Sequence, residues 1–599
     1  MELKKLLTVC CLFLLLVSQT VTTQAATVIT PSYQPVRSQV SALIEQEMAR
    51  TGTVGLTIAV VDDQRVVWAE GFGWADKKTQ SPASPETVYQ LASVTKLFTA
   101  SAAMQLAEQE MLDIDKPLQN YLPSFSLKSR YPQTKPVTAR NIMTHHSGIP
   151  SDYFDIDLSK PFSQVTQSLK DQYVCFPPDY VFSYSNPAII VLGDALSRIS
   201  GKPYQQYVRE ELLNPLGMNN SFFETETDRV LTFAKSYKEG KEQKLLPTAG
   251  VAPAAGLYSN TLDLAKFVKM IFADGRAGDS QLFRKDTLDE MFRPQNEQVA
   301  LDGSFRIGLG WMLSGSSVKY AGRAVGHDGH FNNYATNITL LPDVKVGVIV
   351  LANSSDADKI VTTISDETLK VLLATKKGLQ PPPEKPKASI PKVDISQKAL
   401  ADLSGYYGTH LGVITATPGN NKLIARTSDY KVELIPREHG LFSVQYSLFG
   451  IFPLQLKSFE DLYFSFDTIG ARKVVEIRDN TGTYIIGEKA PEPSLPDSWK
   501  DMSGTYELTG LKSDFDQIPQ KIVCRIENKR IIIEMNNPRK EYPDIKTWGF
   551  IVQPISATEG IIVGVGRWKG DTVRREVVDG VQHYYYAGLD YKKAANSNR

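Results

Sequence analysis

Followed by its apolar and polar positions, the chain divides into one long mixed region and two shorter strand-rich ones. Residues 35–50 carry apolar positions at helical spacing and predict an amphipathic helix. Val54 to Asp62 and Arg65 to Gly71 flank Asp62-Asp63-Gln64 in the pattern of a β-hairpin. The run from Ser93 through Leu97, Phe98, Met104 and Leu106 is apolar on most sides and predicts a helix buried nearly all round. Asn333 to Leu341 and Val344 to Asn353 predict a second hairpin turned at Pro342-Asp343, and a last helix spans about 356–375. Strands drawn from both ends of one region, with helices between them, imply an α+β fold with an antiparallel sheet flanked by helices.

Two proline-rich breaks close off this region. The first holds Pro381-Pro382-Pro383, Pro386 and Pro391, and the second runs from Pro491 to Pro496. They predict semi-rigid linkers at 379–396 and 490–498, with a first domain over 27–378 and two all-β, barrel-like domains over 397–489 and 499–599. The β domains open alike, as Asp402-Leu403-Ser404-Gly405-Tyr406-Tyr407 and Asp501-Met502-Ser503-Gly504-Thr505-Tyr506. That similarity suggests a duplicated small antiparallel barrel or sandwich.

At the start, Lys4, Lys5, the apolar run Leu6 to Val17 and Thr23-Gln24-Ala25-Ala26 predict a secretory signal over 1–26. The run is shorter than the roughly 20 residues a spanning helix needs, and no other segment is long and apolar enough. The expected location is periplasmic or extracellular, with an uncleaved anchor as the alternative. Lys+Arg and Asp+Glu each count 66, so the net charge is zero and gives no electrostatic case for a nucleic-acid partner. Cys10 and Cys11 fall in the signal, and Cys175 and Cys524 are expected as free buried thiols.

The candidate chemistry begins with Ser93-Val94-Thr95-Lys96. At a helix start, unpaired backbone N–H groups favour developing negative charge on or near Ser93. Residues three apart on a helix are neighbours, so the Lys96 amine can reach the Ser93 hydroxyl. Burial lowers a lysine pKa and makes it a usable base. Ser316-Ser317-Val318-Lys319 has the same spacing but reads as a turn into a strand, where that spacing loses its meaning. Tyr184-Ser185-Asn186 supplies a phenol able to act as base or proton shuttle and an amide able to hold a carbonyl. Its look-alike Tyr258-Ser259-Asn260 precedes a helical run and reads as an N-cap. Gly326-His327-Asp328-Gly329-His330 lies just ahead of the second hairpin, and its second glycine allows close approach of backbone to substrate. No carboxylate or cysteine cluster completes a metal site around its histidines, and neither metal nor cofactor is expected. His145-His146 reads as a structural turn.

These motifs, in this order, resemble the serine β-lactamase and penicillin-binding superfamily, in its class C β-lactamase, D-aminopeptidase and family VIII esterase branch. Tyr89-Gln90-Leu91-Ala92, Thr144-His145-His146-Ser147-Gly148, Ala255-Gly256-Leu257-Tyr258-Ser259 and Gly308-Leu309-Gly310-Trp311 match as well. The β-rich segments resemble the lipocalin-like barrels appended to D-aminopeptidases. The resemblance implies acyl transfer: Ser93 attacks a carbonyl, Lys96 and Tyr184 manage its proton, and Asn186, His327, Asp328 and Gly329 orient the substrate. It places the oxyanion between the backbone N–H groups of Ser93 and His330. The third motif carries His327 and Asp328 where true β-lactamases carry Lys-Thr, and a carboxylate there should repel an anionic substrate unless His327 is protonated and pairs with it. The expected substrate is therefore a D-amino-acid peptide, a cell-wall-derived peptide or a small ester rather than a β-lactam. The alternatives are a penicillin-binding sensor that acylates without turnover, or a scaffold whose β domains bind cell wall.

Overall fold

A computed structural model of the chain describes residues 27–224, 232–315, 317–383, 390–448, 452–454, 462–509, 518–536 and 546–595. The expected signal over 1–26, Ser316 of the second Ser-x-x-Lys and Pro386 of the first linker lie outside the described residues.

The elements that position the site are, in chain order, β1 (Val28–Ile29), α1 (Gln34–Thr51), β2 (Gly55–Asp62), β3 (Arg65–Asp76), α2 (Thr95–Glu108), α3 (Asn186–Ser200), α4 (Thr261–Phe272), β4 (Val325–Phe331), β5 (Tyr334–Leu341), β6 (Val346–Ala352) and α5 (Asp358–Leu372). The strands form an antiparallel sheet in the order β1-β3-β2-β6-β5-β4, with Ser81–Pro82 added against β3. Both predicted hairpins are present. Gly326 to His330 lie just ahead of the second hairpin, as expected, and form β4, the edge strand, in register from Val325↔Leu340 to Phe331↔Tyr334. Glycine and histidine stand where apolar residues would have marked a strand, so the pairing with β5 supplies what the pattern lacks.

Successive residues of β2 serve two cores. Leu56, Ile58 and Val60 pack with α1 and α5, while Ala59 and Val61 face the layer that holds α2, α3 and α4. Each such Val or Ile, fully buried, contributes about 1.5–3 kcal/mol. Sandwiched this way, β2 reads as an unbroken apolar run. Helix α2 is buried from Thr95 to Leu106, polar residues included. Thr99 meets its polar needs there by bonding the Tyr204 hydroxyl (2.7 Å) and the Pro253 carbonyl (2.6 Å).

The C-terminal part forms two closed eight-strand antiparallel barrels. The first runs from Gly405–Thr409 to Gly482–Lys489 and closes between Lys431–Pro436 and Phe442–Leu448. The second runs from Gly504–Leu508 to Leu589–Lys593, and its first strand pairs with its last. Their openings are built alike. Tyr407 and Tyr506 donate to the carbonyls of Leu403 and Met502, four residues back, and Lys489 and Lys593 reach the carbonyls of Asp402 and Asp501.

The barrels are packed onto the first domain. Cys175, Phe176, Val181 and Leu301 form one apolar cluster with Val474 of the first barrel and Val565 of the second. Ser304 N donates to the Thr483 carbonyl (2.7 Å), and Arg130 pairs with Glu559 (3.0 Å). Cys175 and Cys524 are both free and buried.

Candidate active site

Ser93 sits in a one-turn 3-10 segment, Ala92–Val94, that feeds α2. The preceding Ala92 is buried with φ 48°, a left-handed conformation that costs a Cβ-bearing residue energy and marks a constrained turn. Lys96 Nζ lies 3.0 Å from Ser93 Oγ and donates to the Ala254 carbonyl at 2.9 Å. Lys96 is 1% exposed. Burial above all, and then the charge of Arg567, bring its pKa down to about 7 against the opposing pull of Asp152 and Asp328. A lysine so placed is substantially neutral at neutral pH and can accept a proton.

The Tyr184 ring lies 5.0 Å from Lys96 Nζ. Burial raises the Tyr184 pKa above that of an ordinary phenol, although its hydrogen bond with Ser93 and the Arg567 charge act the other way. Of the two roles the sequence suggests for Tyr184, proton shuttle therefore fits the resting protein better than phenolate base. His145, expected as part of a structural turn, stacks on Tyr184 with ring centroids 4.2 Å apart. Its Nδ1 accepts from Ser185 N at 3.2 Å, and burial followed by the Lys96 charge keeps its pKa well below 6.5. His146 alone is purely structural, tied to the Thr144 carbonyl (2.7 Å) and Asp302 (2.8 Å).

Ser185-Asn186-Pro187 starts α3. Ser185 Oγ caps the helix by accepting from Ala188 N at 3.1 Å, and proline fits the first turn, where no amide is needed. Asn186 Nδ2 donates to Asp152 Oδ1 at 2.8 Å. The other carboxylate oxygen of Asp152 takes Arg567 Nη2 (2.9 Å) and Trp568 Nε1 (2.6 Å), both from the second barrel. The Arg567 guanidinium lies 5.0 Å from the Tyr184 ring centroid. The same loop is fixed to the first domain by Trp568 N donating to Ser151 Oγ (2.8 Å) and by Ser183 Oγ donating to the Gly566 carbonyl (3.3 Å). Asp152, Arg567 and Trp568 carry no motif, and nothing in their local sequence separates them from ordinary surface residues.

Strand β4 forms the opposite wall. His327 is 4% exposed with its ring 6.3 Å from that of Tyr184. Its Nδ1 meets the Asp328 carbonyl at 2.5 Å, and since a carbonyl only accepts, Nδ1 carries the proton. Burial lowers the His327 pKa despite Asp328, so the ring is neutral and Nε2 is an acceptor, buried and without a partner among the described residues. The side chain of Asp328 alternates away from His327: it is exposed, its register partner is Asn337, and it lines a hollow with Asn337, Thr362 and Asp366. Its charge is felt at Lys96, Tyr184 and His327, and its carbonyl holds His327 Nδ1. Gly329 lies against Ser93, where a Cβ would stand 2.9 Å from Ser93 N. His330 N follows directly, and its ring pairs with Asp358 on α5.

Ser93, Lys96, Tyr184, His327 and Gly329 are thus brought together, with Asn186 joined to them through Asp152 and Arg567. The look-alikes do not join them: Asn260 caps α4 by accepting from Asp263 N at 2.8 Å, and Lys319 is exposed in a 3-10 turn. Among the described residues, no three His, Cys, Asp or Glu are grouped to hold a metal ion, and no helix is long and apolar enough to cross a membrane.

Comparison with known proteins matches residues 40–371 to the family model described as Beta-lactamase. Protein flp of Staphylococcus aureus (strain MW2) is 25% identical over 327 residues, 53% of this chain and 63% of that protein. The chain therefore spans less than two thirds of the length of the first curated relatives it matches. Among solved structures, the octameric penicillin-binding protein homologue from Pyrococcus abyssi is 26% identical, with a TM-score of 0.50, covering 75% of this chain and 99% of that one. SurE with D-Leu is 21% identical with a TM-score of 0.54, covering 76% of this chain and 100% of its own, a likeness of fold.

Proposed function

The chain belongs to the beta-lactamase family, and from that premise we propose that it is an exported serine hydrolase working through an acyl-enzyme on Ser93. The observation that carries the reading is the Lys96 amine, buried, brought near neutral pKa and 3.0 Å from the Ser93 hydroxyl. In this reading Ser93 Oγ adds to the substrate carbonyl while its proton passes to Lys96. The oxyanion is held by the backbone N–H groups of Ser93 and His330, an arrangement supported by the approach of Gly329 to Ser93 N. Tyr184 relays the proton from Lys96 to the leaving group, and Asn186 holds the acyl side of the substrate. Water then attacks the ester and gives its proton to the Lys96–Tyr184 pair, which passes it to Ser93 Oγ as the acyl–oxygen bond breaks, releasing the acid and restoring the serine.

The substrate class is an amide or ester with a hydrogen-bond donor, such as a free amine or hydroxyl, beside the scissile carbonyl. The support comes from His327, whose Nε2 offers a lone pair where a cationic motif would offer a proton. Peptides with a free amine on a D-amino acid and small esters bearing a hydroxyl beside the carbonyl meet that requirement, and a β-lactam carboxylate does not. The test is a fluorophosphonate probe with peptide mapping, alongside turnover of a D-aminoacyl anilide, a neutral ester and a chromogenic cephalosporin. Label on Ser93, loss of ~10⁴ or more in kcat/KM for Ser93→Ala, and preference for the amine-bearing anilide are expected. Undiminished hydrolysis by a folded Ser93→Ala protein refutes the reading.

A further inference from the structure

The second barrel contributes a loop to the surroundings of Ser93. Its loop carries a cation to within 5.0 Å of the Tyr184 ring centroid, and the Lys96 amine stands the same distance from that ring. One carboxylate, Asp152, joins this cation to the Asn186 amide, taking Asn186 on one oxygen and Arg567 with Trp568 on the other. We propose that Arg567 is a positioning residue of the Ser93 centre, holding Lys96 in its neutral, proton-accepting form and Asn186 in its working orientation, so that the centre is complete only with the second barrel docked. The inference rests on the reading of Ser93 as nucleophile and Lys96 as its base.

The groups facing Lys96 can be sorted by element. Helix Ala252–Ala255 offers the Ala254 carbonyl, which accepts from Lys96 in either protonation state. His145, Tyr184 and His327 are all held uncharged by burial. The charges that remain are the carboxylates of Asp152 and Asp328, which favour the ammonium form of Lys96, and Arg567, which opposes it. Arg567 is therefore the only cation among these groups that works with burial to free the lysine of its proton. Asp152 has a double part. It anchors Arg567 and Asn186, and its charge limits how far the lysine is lowered.

A guanidinium within roughly 10 Å in a half-buried cleft changes a neighbouring pKa by about one unit. The experiment measures the rate of fluorophosphonate labelling of Ser93 in the full-length protein from pH 5 to 10. Wild type, Arg567→Gln, Arg567→Lys and Asp152→Asn are compared, with thermal melts to show that each is folded. Arg567→Gln is expected to move the acid limb up by about one pH unit, so that labelling falls roughly tenfold near pH 6 and little near pH 9. Arg567→Lys keeps the charge and should leave the limb near its wild-type position. Asp152→Asn removes the opposing charge and should move it down, whatever it does to the plateau. A loop that served only as packing would lower labelling equally at every pH. An unmoved limb in Arg567→Gln overturns the role of Arg567, or, should that protein not fold, limbs in Arg567→Lys and Asp152→Asn that coincide or shift together do so. Wild type that takes no label on Ser93 overturns the hydrolase reading along with it, whereas labelled wild type with an unmoved limb overturns only the inference.

Discussion

Gly329 is the position where a single methyl group should cost the most. A Cβ there would stand 2.5 Å from Thr336 Oγ1 and 2.9 Å from Ser93 N, and closer still to the Leu91 carbonyl oxygen. Non-bonded heavy atoms rest at about 3.5–4.0 Å, so clearing the Leu91 oxygen requires β4 to retreat by about 1 Å or more. Leu91 and Ser93 cannot yield easily, because Thr336 Oγ1 also holds the Leu91 carbonyl (2.9 Å) and Ala92 between them is already strained. The retreat therefore falls on β4 and carries His330 N away from the place an oxyanion would occupy. A displacement near 1 Å costs roughly 10² in rate, similar to losing one oxyanion donor. Gly329→Ala is thus expected to lower kcat/KM for a neutral ester about 10²-fold, or about 2.7 kcal/mol of transition-state stabilisation. The overpacking should cost about 1–3 kcal/mol of stability, read as a lower Tm. The loss should appear in kcat, with KM changed little. A folded Gly329→Ala protein that retains kcat within about threefold would show that β4 does not supply an oxyanion donor.

Two further outcomes follow from groups outside the cleft. Asp571, buried at the junction of barrel and first domain, accepts from Cys175 Sγ (2.8 Å) and the Tyr586 hydroxyl (3.2 Å), and burial above all raises its pKa from 3.8 to about 6. Its protonated form suits the folded state, so this stabilisation is full below pH ~3.8 and lost as pH rises through about 6. Asp571→Asn should gain on wild type by up to about 3 kcal/mol between pH 4 and pH 7, and parallel Tm curves would count against it. Asn260→Ala removes the cap of α4 and should cost about 1 kcal/mol, seen as a fall of a few degrees in Tm at unchanged m-value.

Much of this was legible in the chain because the informative residues sit on regular elements. The β2 and β6 runs announce themselves by continuous apolar character, and Ser93 and Lys96 by their spacing at a helix start. Ser185-Asn186-Pro187 declares a helix beginning, so the amide at Asn186 has a fixed place. β4 was harder, since Gly326, His327, Asp328 and Gly329 carry no apolar alternation. Once its pairing with β5 is known, alternation separates His327, facing Tyr184, from the exposed Asp328, which had been expected to meet substrate directly. The role of His145 depends on a left-handed turn (φ 58°), uncommon for any residue but glycine and not announced by the local sequence. Asp152, Arg567 and Trp568 could not be read at all, because their meeting is set by how one folded body docks on another.

The contact between Asp152 and Arg567 also has a consequence in time. The two residues are 415 positions apart in the chain. At about 5–20 residues per second, Asp152 leaves the ribosome roughly 20–80 s before its counter-charge exists. Through that interval Asp152 and Tyr184 are present while the guanidinium that belongs beside them is missing. Synthesis order thus sets a delay between the making of Asp152 and the making of the second-barrel loop that carries its counter-charge.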